Sequence, residues 1–371
     1  MKSKKPLHGA SLYYASDKNI FDALTQHKVD NSTIMELLLR RNTLVSKRTP
    51  RDDLATYFAR QIHDYQDHKS IANRLGVTTR RERITSMDLN GKVEKDVVTN
   101  AILGIKKELE ESGDVVHLST DGEKTTISIQ FTDFNYKVSE FAQRQVKDGT
   151  IELIRHEDGY IIRNTHNEFI NDVRNTLIGS VIKECEEPLE QVSVSLFDVP
   201  SPHLRSKFFH ELAVSLPGFQ QSDVTAIYVY KAKPDSEASD SDDDEDEELP
   251  PDDDTHIERV SLRGKGVTRS EIFNELLTEE NYYITKISWG AREKLGDGND
   301  YDIEATFTDP KDCTGFSFIL TGVYPCVDGR ILSKRRPPEK YEIEKISKVI
   351  EAKSRELVTQ LRVEHLKAAE G

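Results

Sequence analysis

A run of acidic residues in the last third, DSEASDSDDDEDEELPPDDD (235–254), most constrains the fold of this chain, because it cannot enter a hydrophobic core. It contains 13 acidic residues and no basic residue. Like charges repel one another and the run has little apolar surface to bury, so we predict a disordered insertion over residues 234–255. The whole chain carries a net charge of −15, but the part outside this run carries only −2. The total charge therefore does not exclude basic surfaces elsewhere.

The segments on either side of the acidic run alternate between strand-like and helical patterns. The strand-like runs VSVSLFDV, DVTAIYVYK, HIERVSLRG and YYITKISWG surround two related helical segments, RSKFFHEL (205–212) and RSEIFNEL (269–276). The order β-α-β-β-α-β resembles a ferredoxin-like fold with the acidic run inside its central hairpin. We expect this domain to cover residues 188–332, with DYDIEATF and GFSFILTGVY adding a hairpin to its sheet. Its third strand lacks the closely spaced aromatic residues of an RNA-recognition module.

Residues 91–187 are predicted to form a separate α+β domain. KDVVTNAILGIKKELEE and EFINDVRNTLIGSVIKECEE have the apolar spacing of helices. Asp121-Gly122 and Glu157-Asp158-Gly159 each separate two strand-like runs and favour hairpin turns. The pattern predicts helix, hairpin, helix, hairpin, helix.

Residues 333–371 are predicted to form a long C-terminal helix that begins near Glu339. Its apolar residues recur near heptad spacing and are Ile343, Ile346, Ile350, Leu357 and Leu361. Lys353 interrupts this stripe. Two arrangements remain open: pairing with a partner, such as a second copy in a homodimer or larger oligomer, and packing on the chain's own domain.

Residues 1–90 are predicted to form a basic helical module, with 16 Lys and Arg against 10 Asp and Glu. The stretch NSTIMELLLRRNTLVSKRTPRDDLATYFARQI (31–62) reads as helix, extended link, helix. Thr49 is a suitable N-cap and Pro50 a suitable first residue for the second helix. The expected apolar faces contain Ile34, Leu37 and Leu38 in the first helix, and Leu54, Tyr57, Phe58 and Ile62 in the second.

Within this stretch, ELLLRRNTL followed by RDDLATYFARQI resembles the SAP, or helix-extension-helix, DNA-binding motif. In that family, basic residues at the end of the first helix, in the extension and at the start of the second helix contact the DNA backbone. The resemblance implies this role for Arg40, Arg41, Lys47, Arg48 and Arg51. Asn42 stands where the family usually has Gly, and Asn also adopts the left-handed conformation.

The next stretch, SIANRLGVTTRRERIT (70–85), begins like a DNA-reading helix-turn-helix motif. Ile71, Ala72 and Leu75 have the spacing of a packed helix, and Gly76 permits a tight turn. The second half fits less well, because Glu82 and Thr85 stand where the motif has apolar residues. A base-reading helix, backbone contact without base reading, and a solvated helix face remain alternatives. The candidate nucleic-acid-binding residues here are Arg80, Arg81 and Arg83.

Patterns for catalysis or cofactor binding are weak. HDYQDH (63–68) places two His and two Asp at helical spacing, which favours a charged helix face over a metal site. GDGNDYDIE (296–304) has acidic residues but neither the full calcium-loop pattern nor that of a metal-dependent nuclease. RGKGVTRS (263–270) lacks the spacing of a phosphate-binding P-loop. We therefore expect no cofactor and no bound metal, and we favour a non-enzymatic function.

The cysteines and the hydropathy pattern indicate the expected location. Cys185, Cys313 and Cys326 lie far apart and are odd in number, which argues against a disulfide framework and favours the reducing cytoplasm. No apolar stretch approaches the length of a membrane span, so we expect no membrane contact.

Together these patterns predict an α+β protein that binds DNA, mainly through backbone phosphates, without catalysing a reaction. Two roles remain open for the acidic run: it competes with DNA for the basic module and so autoinhibits binding, or it serves only to keep the chain soluble. RNA remains an alternative ligand. A protein-interaction scaffold or accessory subunit of a multi-protein assembly is the second interpretation, and a metal-dependent nuclease is the third.

Overall fold

The chain folds as a mixed α+β protein, as predicted. The computed structural model describes residues 15–26, 29–76, 82–134, 140–231, 258–264, 266–269, 271–278 and 281–370. The chain divides into two compact units. Unit 1 comprises Met1–Arg80, Lys92–Arg155 and Glu168–Pro188, and unit 2 comprises Arg81–Gly91, His156–Asn167 and Leu189–Gly371. The segments of the two units alternate along the chain.

Unit 1 begins with helices that share one apolar core. They are α1 (Asp17–Leu24), α2 (Asn31–Arg40), α3 (Arg51–Ala59) and α4 (Tyr65–Gly76). The predicted residues Ile34, Leu37 and Leu38 of α2 are buried in this core with Leu54 and Phe58 of α3.

Two residues predicted on the apolar face of α3 lie outside the core. Tyr57 is 52% exposed and Ile62 is 95% exposed. Because α3 ends at Ala59, Ile62 follows the helix and does not share its face.

The second part of unit 1 combines two long helices with antiparallel strands. Its elements are α5 (Lys95–Glu111), β2 (Val115–Asp121), β3 (Lys124–Phe134), α6 (Glu140–Gln143), β4 (Arg144–His156) and α7 (Glu168–Glu184). β3 pairs with both β2 and β4. The predicted turn at Asp121-Gly122 joins β2 to β3, and Gly122 has the positive φ of 58° that such turns require.

Unit 2 is built on antiparallel strands. They are β1 (Ile84–Asn90), β5 (Gly159–Thr165), β6 (Glu190–Ser193), β7 (Phe219–Tyr230), β8 (Arg259–Arg263), β9 (Tyr283–Glu293), β10 (Asp300–Asp309) and β11 (Thr314–Tyr324). A small hairpin, β12 (Cys326–Val327) with β13 (Arg330–Ile331), follows them. The helices are α8 (Pro202–Val214), α9 (Glu271–Thr278) and α10 (Lys340–Glu370).

The predicted element order of the C-terminal region is present, but its strand pairing is not ferredoxin-like. In that fold the first strand of the pattern lies beside the fourth. Here the first strand, β6, pairs with β1, and both edges of the fourth strand, β9, are taken by β7 and β10. The strand order in unit 2 is β5-β1-β11-β10-β9-β7-β8. The short β9–β10 connection allows β10 to occupy the edge that β6 would need, and the predicted hairpin β10–β11 extends the sheet.

The last two residues of the predicted helix-turn-helix stretch, Ile84 and Thr85, lie in a strand, and residues 77–81 of the stretch fall outside the described part of the chain. Residues from Ile84 onward form β1, which pairs with β5 along one edge and with β6 and β11 along the other. Thr85 is buried and its Oγ1 donates to the carbonyl of Phe316 at 2.7 Å. Backbone pairing on both edges therefore outweighs the local helical pattern in this segment.

The apolar stripe of α10 packs on the core of its own unit, which decides between the two arrangements left open for this helix. Ile346, Ile350, Leu357 and Leu361 are buried in the same core as Phe208 of α8.

A buried ion pair also fastens α10 to the sheet. Arg163 of β5 donates from Nε and Nη2 to the two carboxylate oxygens of Glu351, each at 2.7 Å.

Within the described ranges, no helix has both the length and the apolar composition to cross a membrane.

Candidate nucleic-acid interface

The helix-extension-helix segment positions its basic residues through two well-defined helix ends. Asp30 caps α2 by accepting a hydrogen bond from the Thr33 amide at 2.9 Å. After α2 ends, Asn42 adopts the predicted left-handed conformation with φ of 57°. The helix α3 begins at Arg51 with Pro50 as its N-cap, so the predicted cap at Thr49 is displaced by one residue. The extension therefore runs from Arg41 to Pro50.

Arg41 is held inside unit 1 by several partners. Its Nη1 donates to Gln61 Oε1 at 3.0 Å, and its Nη2 contacts His63 Nδ1 at 3.0 Å and forms an ion pair with Asp67. The guanidinium also lies over the ring of Phe58, 4.9 Å from the centroid. These contacts join the end of α2 to the segment between α3 and α4.

His63 is fixed in one protonation state by this geometry. A guanidinium has no acceptor, so Nδ1 of His63 accepts from Arg41 and Nε2 donates to the Phe58 carbonyl at 2.9 Å. The neutral imidazole with its proton on Nε2 satisfies both contacts. Burial and the charge of Arg41 lower the pKa of His63 below the usual 6.5. Protonation of His63 would place an N–H against the Arg41 donors.

Arg51 is also used within the module. Its Nη2 donates to the carbonyls of Leu24, at 3.0 Å, and Gln26. These carbonyls lie at the C-terminal end of α1, where a cation is favoured by the helix dipole. Arg51 therefore connects the start of α3 to the end of α1.

The remaining basic residues of the motif face solvent. Lys47 and Arg48 are exposed in the extension. Arg40 pairs with Glu36 at 2.8 Å, with 60% of each side chain exposed. An exposed pair of this kind is weak, so Arg40 can exchange Glu36 for another anion at little cost.

Of the three arginines of the predicted helix-turn-helix, the structure describes Arg83. Arg80 and Arg81 lie outside the described residues. Arg83, in unit 2, pairs with Glu304 of β10, which also binds Lys286 at 2.9 Å. Burial alone would raise the pKa of Glu304, but hydrogen bonds from Arg83 and Lys286 outweigh it and lower that pKa. Arg83 is thus part of a charged cluster on the sheet.

The contacts around Arg41 were missed from the sequence, although part of the signal was visible. His63 and Asp67 are four residues apart and lie 3.9 Å from each other, although α4 begins at Tyr65 and His63 therefore precedes the helix. The role of Gln61 and Phe58 depends on how α3 and α4 pack, and the spacing of residues along one helix does not reveal this packing.

In the described part of the chain, no three His, Cys, Asp or Glu side chains are grouped as a metal site would require.

No protein-family model matches the chain, and no curated protein is significantly similar to it.

Proposed function

We propose that this chain is a non-enzymatic DNA-binding protein whose N-terminal module contacts the phosphate backbone. The observation that carries the proposal is the exposure of Arg40, Lys47 and Arg48 at the end of α2 and in the extension. These are positions at which the SAP-like pattern places its backbone contacts. Arg and Lys at such positions bind phosphates without reading bases, so the expected binding is weakly dependent on sequence.

Within this proposal, Arg41 and Arg51 have a different role from their exposed neighbours. Each is committed to contacts inside unit 1 that fix the two ends of the extension. They are positioning residues, which hold Lys47 and Arg48 in place. A preorganised cation loses less conformational entropy on binding than one on a free loop.

The acidic run adds a regulatory element to the proposal. Its 13 carboxylates are tethered to the same chain as the basic module and would compete with phosphates for Arg and Lys. This competition is electrostatic, so it is strongest at low ionic strength.

The proposal is tested with the triple variant Arg40→Gln, Lys47→Gln, Arg48→Gln in the full chain. Binding to a random-sequence DNA duplex is measured over a series of salt concentrations. Each phosphate contact contributes about 0.9 to the slope of log affinity against log salt, so the slope should fall by nearly three. The matched control is Lys95→Gln, Lys107→Gln, Lys183→Gln, which removes the same charge from exposed positions on α5 and α7.

The control variant should bind with nearly the slope of the unmodified protein. If the triple variant is folded and binds DNA as the control does, the proposed interface is wrong. The interpretation as a protein-interaction scaffold would then be preferred. An RNA duplex in the same series identifies which nucleic acid the module prefers.

A further inference from the structure

We propose that the outer face of the β7–β8 hairpin in unit 2 is a second binding surface for a nucleic-acid phosphodiester backbone. The residues that form it are Tyr228, Lys231, Arg259, Arg263 and Lys286, and we refer to them as the tyrosine–cation surface. The inference extends the proposed DNA-binding function to a surface that shares no residue with the N-terminal module.

Strand register brings four of these residues to one face, and the fifth, Lys231, directly follows β7. Across the hairpin, Tyr228 lies opposite Ser261 and Tyr230 lies opposite Arg259. Arg259, Ser261 and Arg263 of β8 are exposed. The alternate residues Val260 and Leu262 pack against the core of unit 2. On the other side of β7, Tyr228 lies opposite Lys286 of β9. The alternation of a strand thus separates a charged outer face from an apolar inner face.

Each cation of the surface lies over a tyrosine ring. The Lys286 Nζ and the Arg263 guanidinium lie 4.7 Å and 5.4 Å from the centroid of Tyr228. Arg259 lies 5.9 Å from the centroid of Tyr230, and Lys231 lies 5.4 Å from that of Tyr282. Arg263 also donates to the Tyr228 hydroxyl. Such contacts restrain long side chains that would otherwise be disordered in solvent.

The positive charge of this surface is only partly balanced. Among the residues that the structure describes, no carboxylate oxygen lies within 4.0 Å of Arg263 or Lys231. Arg259 has a loose pair with the neighbouring Glu258 at 3.6 Å, and its side chain is 70% exposed. Lys286 is paired with Glu304 at 2.9 Å. The hairpin therefore presents cations that an anion can bind.

The geometry favours phosphates over bases. A guanidinium held near a ring retains further N–H groups, and these suit phosphate oxygens. The rings of Tyr230 and Tyr282 are buried, 6% and 3% exposed, so bases have little access to stack on them. The four-residue step from Arg259 to Arg263 spans about 13 Å along β8, which equals the axial rise of roughly four base pairs of B-DNA.

The hydroxyl of Tyr228 adds a donor to the same surface. The hydrogen bond from Arg263 is the main cause that lowers the pKa of Tyr228, with further contributions from Ser261 and Lys286. Because the hydroxyl accepts from Arg263, its own proton can be donated to a phosphate oxygen. A more acidic phenol makes a stronger hydrogen bond to an anion.

The test compares three forms of the full chain that carry the unmodified N-terminal module. They are the unmodified protein, the variant Arg259→Gln, Arg263→Gln, and the control Lys348→Gln, Lys367→Gln on exposed positions of α10. Binding to a random-sequence duplex is measured over a salt series. The surface variant should bind several-fold more weakly at low salt, with a slope lower by about two, whereas the control should not differ from the unmodified protein.

Combining the surface variant with the N-terminal triple variant distinguishes failure of this inference from failure of the proposed function. If only the N-terminal variant weakens binding, the tyrosine–cation surface is not an interface. If only the surface variant weakens binding, the second surface stands and the N-terminal proposal fails. If neither does, both are wrong.

A single substitution keeps the test informative if the double variant does not fold. Lys231→Gln removes one cation without a carboxylate partner in the described structure and should lower the salt slope by about one. Polyglutamate serves as the comparison ligand in the N-terminal triple variant, whose module no longer offers its exposed cations to a competing polyanion. If it displaces the duplex as well as unlabelled DNA of equal charge does, the surface recognises an acidic protein segment and the inference is overturned.

Discussion

Arg40 and Arg41 are neighbours in the chain, yet their side chains differ in what they contact. Arg40 forms an exposed pair with Glu36, whereas Arg41 is 21% exposed and bound to Gln61, His63 and Asp67. Removing one partner of a partly buried network leaves the other polar groups unsatisfied. Arg41→Ala should therefore cost about 2 kcal/mol of unfolding free energy, and Arg40→Ala less than about 0.5 kcal/mol.

Urea unfolding followed by far-ultraviolet circular dichroism measures both costs, and Arg40→Ala serves as the matched control. Similar values for the two variants would show that Arg41 is not a positioning residue. The DNA-binding test would then have to include Arg41 among the contacts.

The lowered pKa of His63 should make the stability of the N-terminal module depend on pH. Burial and Arg41 hold the pKa of His63 below 6.5, while in the unfolded chain it returns to about that value. As the pH falls below 6.5, His63 becomes protonated in the unfolded state before it does in the native state. The free energy of unfolding therefore decreases. The decrease continues until the pH reaches the lowered native pKa. Asp67 favours the protonated form, and His68 opposes it.

The variant His63→Gln isolates this effect. Unfolding free energies of both proteins are measured between pH 5.5 and pH 7.5, where the other histidines contribute equally to each. The variant should show the flatter profile, because it lacks the group that titrates. Parallel profiles would mean that His63 has an ordinary pKa in the folded protein.

At the scale of the elements, α10 gives the clearest expectation. Ile350 is fully buried among residues of the unit 2 core, and Val363 on the same helix is 47% exposed. Ile350→Ala should lower the unfolding free energy by about 2–4 kcal/mol, because it removes buried methyl groups and leaves a cavity. Val363→Ala should change it by less than about 0.5 kcal/mol.

The fluorescence of Trp289 reports this unfolding, since it is the single tryptophan of the chain and is buried in the same core. Equal effects of the two substitutions would indicate that the apolar stripe of α10 serves another partner. The same outcome would reopen pairing with a second copy.

Elements with strong local signals could be predicted, and their long-range pairing could not. The sequence KDVVTNAILGIKKELEE coincides with α5, and Asp121-Gly122 forms its predicted turn. In contrast, β1 was obscured by a helical pattern, and its partners β5, β6 and β11 follow much later in the chain. The exposed cations of the candidate interface could be predicted because they depend on local helix ends. The contacts of Arg41 could not, because they cross 20 to 26 residues.

At the scale of the whole molecule, the acidic run should weaken DNA binding. Deleting residues 235–254 should tighten binding more at low salt than at high salt, because screening reduces the competition. The control retains the length of the run and replaces its 13 carboxylates with Ser, Asn and Gln. If the charge of the run is responsible, the deletion and this control should bind DNA with the same affinity.

The deletion is also expected to leave folding intact. The residue pairs of the hairpin β7–β8 run from Ala226–Arg263 to Tyr230–Arg259, and all of these residues lie outside the acidic run. A Gly-containing turn in place of residues 234–254 should shift the melting temperature by less than about 3 °C.

In the DNA-binding test, equal affinities of the deleted and the unmodified protein across the salt series would assign the acidic run to solvation or to contact with another protein.

The alternation of the two units along the chain has a consequence for synthesis on the ribosome. Thr85 of β1 and Phe316 of β11 are 231 residues apart, and Arg163 and Glu351 are 188 apart. At about 5–20 residues per second, β1 waits roughly 10–50 s after its own synthesis before β11 emerges. Unit 1 has its last segment by Pro188 and can fold first. By residue 193 the chain has made β5, which covers one edge of β1, and β6, which covers Met87–Asn90 on the other edge. The unpaired edge that waits for β11 is therefore the short stretch around Ile84.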